Sequence, residues 1–293
     1  MHLTLLVIAV SVLSMVAGVA IFLSWVVPQI ERRFIFRPSS ELSQSPQDVG
    51  IAFQDHFFES SDGCRLHAWH LCPPQPMATA IYFHGNSINL GLYVEIFRDL
   101  YAGQVEIFAV DYRGYGRSSG VPSEKGLYRD ALATVEYFKN RVQRPGEAGA
   151  VPLLYWGRSL GGTVAAFAAG KIPPDGLILE TAFPSKKAML ADAPQARKMV
   201  LFSRCRLDTV GHLRRQQFPV LVLHGNRDKA VPLEQGRLLF EQLPGPKELC
   251  VIEGGDHMNI HLVERSRYMS TIRRFAERCG AGFRREGDAV SAP

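Results

Sequence analysis

The run Leu153-Leu154-Tyr155-Trp156 ends in Gly157-Arg158-Ser159-Leu160-Gly161-Gly162, and small residues continue from Val164 to Gly170. A strand, a sharp turn and a helix in direct succession constrain this chain more than any other stretch. Such a turn holds Ser159 in a strained backbone geometry with its hydroxyl above the end of a sheet. Small residues on both sides let strand and helix close around it. Ser159 therefore reads as a nucleophile that the remaining chain positions, activates or supplies with substrate. The pattern recurs at Gly116-Arg117-Ser118-Ser119-Gly120. That copy sits in a glycine-rich loop beyond its strand, and the next helix begins only after Pro122-Ser123, so context selects Ser159.

Apolar runs at 78–83, 105–110, 151–156, 176–179, 220–223 and 248–252 alternate with helical periodicity at 90–101, 124–141, 232–243 and 262–279. This alternation predicts a mostly parallel sheet covered by helices on both faces, an α/β fold. Residues 53–59 and 65–71 flank Ser60-Ser61-Asp62-Gly63 and read as an antiparallel hairpin. Ser123 is expected to cap the helix over 124–141. With 293 residues and 46% apolar content, the core needs no disulfide staple. The five cysteines, Cys64, Cys72, Cys205, Cys250 and Cys279, lack metal-ligand spacing and read as buried or free thiols of a reducing compartment. A Cys64–Cys72 bridge is the alternative pairing. A net charge of +5, without a stripe of aromatics and arginines, argues against nucleic acid as a partner.

Leu3 to Val27 carries no charged side chain, and Glu31-Arg32-Arg33-Phe34-Ile35-Phe36-Arg37 follows. The run is long enough to span a bilayer. Positive charge after the span, and none before it, places the C-terminal side in the cytoplasm. A cleaved signal peptide would want a basic start and a shorter apolar core, although Gly18-Val19-Ala20 resembles a cleavage site. The expected organisation is a single-pass anchor over 1–30, a juxtamembrane linker over 31–50, and a catalytic domain over 51–280. A cap at about 183–217 and a flexible tail at 281–293 complete it.

A serine hydroxyl needs a base, and the base needs an acid to fix its tautomer. In a parallel sheet, loops at the C-terminal strand ends converge on one crevice. His257, in the glycine-flanked loop after the last strand, is the best base. His67, His70, His212 and His261 lie elsewhere, and His84 and His224 come too early in the chain. Asp228, five residues past the 220–223 strand, is the best acid, with Glu180 next. Asp256 adjoins His257, and neighbours rarely face each other productively. The developing oxyanion needs two donors. The expected ones are the backbone N–H of Leu160 and that of Asn86, in the loop His84-Gly85-Asn86-Ser87.

Five motifs, in order, carry a resemblance: His84-Gly85-Asn86, Asp111-Tyr112-Arg113-Gly114-Tyr115-Gly116-Arg117-Ser118, Gly157-Arg158-Ser159-Leu160-Gly161-Gly162, His224-Gly225-Asn226-Arg227-Asp228 and Gly255-Asp256-His257. From about 51 to 279 the chain resembles an α/β-hydrolase. More closely, it is similar to the membrane-anchored abhydrolase-domain serine hydrolases, relatives of protein depalmitoylases. The resemblance implies a Ser159-Asp228-His257 triad. In place of the depalmitoylases' N-terminal cysteine cluster, this chain has the apolar span. The expected activity is hydrolysis of an ester or thioester through an acyl-enzyme, with no metal or organic cofactor. Acyl esters, thioesters or lipids are the expected substrates. A serine peptidase or lysophospholipase is the alternative within enzymes, and a catalytically inactive membrane scaffold the alternative outside them. The cap holds Lys186, Lys187, Arg197, Lys198, Arg204, Arg206, Arg214 and Arg215 against Asp192 and Asp208. That face reads either as a solvated surface or as a second membrane contact on an anionic leaflet. Met189, Met199, Leu201 and Phe202 read as core packing or as an acyl-contacting lid.

Overall fold

Every residue of β3 (Ala78–Phe83), β5 (Leu153–Arg158), β6 (Gly176–Glu180) and β7 (Val220–Gly225) is buried. Unbroken apolar runs demand strands covered on both faces. The computed structural model describes residues 2–143, 151–191 and 203–281. The other strands are β1 (Gln54–Glu59), β2 (Arg65–Leu71), β4 (Val105–Asp111) and β8 (Lys247–Ile252). All eight form one sheet in the order β1-β2-β4-β3-β5-β6-β7-β8. β2 runs antiparallel to β1 and β4, and the pairs from β4 through β8 are parallel.

The described helices are α1 (His2–Glu31), α2 (Val94–Ala102), α3 (Glu124–Tyr137), α4 (Leu160–Lys171), α5 (Lys186–Ala191), α6 (Thr209–His212), α7 (Leu233–Gln242), α8 (Ile260–Val263) and α9 (Arg265–Gly280). The sheet separates two cores. Ile81 and Phe83 of β3 share one with Leu127 of α3 and Val164 of α4. Ala80 and Tyr82 share the other with Phe97 of α2 and Tyr268 of α9. The period of two along β3 assigns these faces.

The differences from expectation have local causes. β5 starts two residues late because Pro152 offers no N–H to the ladder. It extends through Gly157 and Arg158, which pair with Leu179 and Glu180. The turn that holds Ser159 between β5 and α4 is therefore only one residue wide. Ser123 caps α3 as expected, its Oγ accepting from Gly126 N at 3.2 Å. The last turn of that stretch widens to a π-helix over Phe138–Val142, with Phe138 buried. The stretch 90–101 opens as a 3-10 turn at Leu90–Tyr93, where Asn89 Oδ1 accepts from Gly91 N. No disulfide links Cys64 to Cys72; the Cys64 thiol donates to the Ser119 carbonyl. The second Gly-x-Ser-x-Gly is a structural clasp. Ser118 Oγ donates to Asp111 O at 2.6 Å and accepts from His67 N at 2.8 Å.

Residues 31–50 do more than connect. Phe36 is fully buried and Ile35 nearly so. Pro38 forms a parallel bridge with Ile88, and Ser39 N donates to Ile88 O at 2.9 Å. Glu31 is buried, and its carboxylate accepts from Ser203 Oγ and Arg204 N. This segment is packed against the strand-and-helix domain. Residues 144–150, 192–202 and 282–293 fall outside the described residues, and with them Asp192, Arg197, Lys198, Met199, Leu201, Phe202 and most of the expected tail.

Candidate active site

Ser159 has φ 52° and ψ −118°, a left-handed backbone on a residue with a side chain. Such a conformation costs about 1–3 kcal/mol and persists only when its surroundings enforce it. Here Ser159 N donates to Glu180 O and Ser159 O accepts from Gly162 N, at 2.8 and 2.9 Å. Gly161 is obligatory: a Cβ there would meet Phe83 O at 2.0 Å. Gly161→Ala is expected to lower stability by about 2–3 kcal/mol, because backbone must move to admit the methyl. A urea midpoint equal to that of the unaltered protein would contradict this.

His257 Nδ1 lies 2.7 Å from Asp228 Oδ2. The Asp228 side chain is fully buried, whereas the His257 side chain remains 22% exposed toward the crevice. Asp228 Oδ1 accepts from Ala230 N and Val231 N at 2.9 and 2.8 Å, which fixes the carboxylate. Burial alone would raise the Asp228 pKa. The His257 hydrogen bond and charge, with the Val231 amide, outweigh it and bring the pKa below the ordinary value. Asp228 is thus held as a carboxylate beside the imidazole.

The competing groups are engaged elsewhere. Glu180 accepts from Arg158 Nη1 at 2.8 Å, Trp156 Nε1 at 2.7 Å and Tyr268 Oη at 3.2 Å. His224 Nε2 donates to Val231 O at 2.8 Å, and its burial lowers its pKa, leaving a neutral ring. His84 Nδ1 donates to Gly85 O. Asp256 Oδ1 accepts from Met258 N and Asn259 N, which shapes the loop bearing His257.

Asn86 and Leu160 both line the cavity that Ser159 and His257 share. Among the described residues, neither amide is taken up by a hydrogen bond. Leu160 opens α4, so its N–H is one of the unsatisfied donors of a helix start. The Asn86 loop is clamped from the segment that follows α1. Asn86 Nδ2 donates to Ile35 O at 3.0 Å. Tyr115 Oη reaches Asn86 O at 3.0 Å and also bonds Phe36 O. The cavity encloses about 520 Å³, with Phe34, Ile35, Phe183, Met189, Leu190, Leu207 and Met258 forming an apolar wall. No hydrogen bond joins Ser159 to His257 among the described residues; such contacts tighten when substrate binds.

Two features were missed from the sequence. One is the wall made by Phe34 to Arg37. The other is Arg158, 2% exposed, which bonds Glu180 and also donates to the His257 carbonyl. A charge inside an apolar strand was the available signal: it demands a buried partner. Burial alone would lower the Arg158 pKa, but Glu180 and the surrounding tyrosines outweigh it and raise the pKa.

The profile of the family described as serine aminopeptidase, S33, matches residues 74–210. The chain is 30% identical to uncharacterized protein MT2364 of Mycobacterium tuberculosis, over 90% of this chain and 94% of that one. It is 27% identical to alpha/beta hydrolase domain-containing protein WAV2 of Arabidopsis thaliana, over 92% and 94%. It is 28% identical to human alpha/beta hydrolase domain-containing protein 17C, over 70% of this chain and 59% of that one. Among solved structures, the Pyrococcus furiosus esterase Pf2001 shares the fold, with a TM-score of 0.69 at 19% identity, covering 84% and 98% of the two chains. The chain belongs to the α/β-hydrolase superfamily. At that level it is a hydrolase.

Proposed function

We propose that the protein is a serine hydrolase of carboxylic esters or thioesters. The observation that carries this reading is His257, paired with the buried Asp228, lining the same cavity as a strained Ser159. Ser159 attacks the acyl carbonyl while His257 takes its proton and returns it to the leaving group. Asp228 holds the imidazole in its tautomer and offsets the charge it gains. The Asn86 and Leu160 amides receive the oxyanion. Water then releases the acyl group from Ser159 by the same steps. None of these steps calls for a metal or organic cofactor.

The apolar wall fits an acyl chain. A free amino terminus, as an aminopeptidase substrate carries, would want a carboxylate. Among the described residues the cavity lining offers Arg37 and Lys186 and no acid. A fluorophosphonate probe is expected to modify one residue, located by peptide mass spectrometry at Ser159. A panel of ester, thioester and peptide substrates then separates the activities. A probe adduct elsewhere defeats the Ser159 assignment; no adduct defeats it and favours a scaffold.

The helix over Thr4–Val27 is apolar, exposed over nearly all of its length and long enough to cross a bilayer. At 1.5 Å per residue it extends about 36 Å. We read it as a single membrane anchor with the catalytic domain in the cytoplasm, in keeping with the arginines that follow it. The exposed Lys187, Arg204, Arg206, Arg214 and Arg215 of the cap are read as a second contact, with an anionic leaflet. Protease added outside intact cells is expected to leave the catalytic domain whole. Its degradation reverses the topology.

A further inference from the structure

Beyond α1, six large apolar side chains among the described residues are exposed: Phe34, Ile88, Val121, Met258, Leu262 and Val263. Apolar residues scattered singly over a surface need no explanation. Five of these six share the segments that build the site. Phe34 lies in the turn leaving α1 and Met258 beside His257, and both line the cavity. Ile88 is in the loop bearing Asn86, and Leu262 and Val263 are on α8, which follows His257 in the chain. The loops after β3 and β8 lie at the same C-terminal edge of the sheet.

Ile88 adds an independent observation. Its φ is 64°, a rare backbone for a β-branched residue. The strained residue is held by Ser39 N and Arg37 O, partners from the juxtamembrane segment. The fold thus spends strain to keep an isoleucine at the surface beside the site.

What covers this rim is indicated by what adjoins it. α1, which exposes large apolar side chains from Leu5 to Trp25, runs directly into the wall of the cavity. Arg33 and Arg37 are exposed in the same turn, and exposed Arg204 bonds through its backbone to Glu31. An apolar centre flanked by cations is the composition of a surface that sits in the interfacial region of a bilayer.

We propose that this rim seats in the membrane surface, so that the cavity receives its acyl substrate laterally from the bilayer. The proposal rests on the hydrolase reading above. Seating buries Leu262 and Val263 among lipid headgroups and acyl chains and brings the mouth lined by Phe34 and Met258 to the same depth. A soluble short-chain ester can still enter from water; a long-chain ester dissolved in lipid depends on the seat.

The test uses the full-length protein in vesicles of phosphatidylcholine and phosphatidylserine. Leu262→Asp/Val263→Asp is compared with Val121→Asp, the exposed apolar residue on another loop. The double variant is expected to lose about tenfold in turnover of a palmitoyl ester resident in the vesicle, and less than about twofold on a soluble acetyl ester. Val121→Asp should leave both within about twofold. Equal losses on the two esters, or no loss on the palmitoyl ester, overturn the proposal. So does a shift in oligomeric state of the double variant, which would make the rim an interface between copies.

A second readout does not depend on hydrolysis. With Cys64 and Cys72 replaced by Ser, a nitrobenzoxadiazole dye at Leu262→Cys should be shielded from aqueous dithionite in vesicles, and one at Val121→Cys should not. Shielding without Ser159 labelling would retain the membrane seat and remove the hydrolase. Labelling without shielding would do the reverse.

Discussion

Ser159→Gly is expected to abolish turnover and raise stability together. On the proposed mechanism, loss of the Ser159 hydroxyl removes the acyl-enzyme route, so hydrolysis of a short p-nitrophenyl ester should fall by about 10⁶-fold, to background. Fluorophosphonate labelling should vanish with it. The stability gain has a separate origin. Ser159 sits at φ 52°, where a Cβ is strained and glycine is not. Relief of about 1–3 kcal/mol, set against glycine's larger entropy loss of about 0.5–1 kcal/mol, leaves a net gain of about 1 kcal/mol. In a domain of this size that raises the thermal midpoint by about 2–4 °C. Ser159→Ala should be equally inactive without the gain, since it keeps the Cβ. A glycine variant no more stable than the alanine variant would mean that the turn is relaxed.

Arg158→Met should be the most damaging change that leaves the three proposed catalytic side chains intact. Among the described residues it leaves the buried Glu180 carboxylate with the Trp156 and Tyr268 donors alone. Breaking one partner of a buried pair costs about 3–5 kcal/mol. The Arg158→Met/Glu180→Gln protein should recover much of that loss, since no uncompensated charge remains. Activity should not recover in step. Both variants lack the donor to the His257 carbonyl, so turnover of the folded fraction should stay depressed. Denaturant midpoints and turnover at low temperature separate the two effects. Additive losses in the double variant would show that Arg158 and Glu180 act independently.

Much of this arrangement was legible because the signals are local. Apolar runs, a proline, a serine cap and glycines fix strands and helix ends within a few residues of chain. The Asp228–His257 pairing followed from one non-local rule, that strand ends converge. Two kinds of feature escaped. Arg158 and Glu180 meet only because β5 and β6 pair in a register that puts them side by side; Glu180 was therefore weighed as a triad acid when its partner was an arginine. The stretch after α1 reads as polar punctuation, with Pro38, Ser39 and Ser40 in a row. Its contacts with Asn86, Tyr115 and Ile88 join residues about 50 to 80 positions apart, and no periodicity announces them.

The rigid passage from Glu31 to Arg37 also acts as a ruler. Ile35 stands eight residues beyond Val27, where the apolar stretch of α1 ends. The α-helix ends at Glu31 and a π-helical turn covers Arg32–Phe36, so the separation is at most about 12 Å, the length of eight α-helical residues. With α1 in a bilayer, as proposed, no slack linker lets Ser159 rise to meet a distant bond. Substrates would be sorted by height: a scissile acyl bond at the level of the lipid headgroups is in reach, and one carried far above them is not. Lengthening this passage with glycine and serine would change which bonds the enzyme can reach without touching a residue of its chemistry.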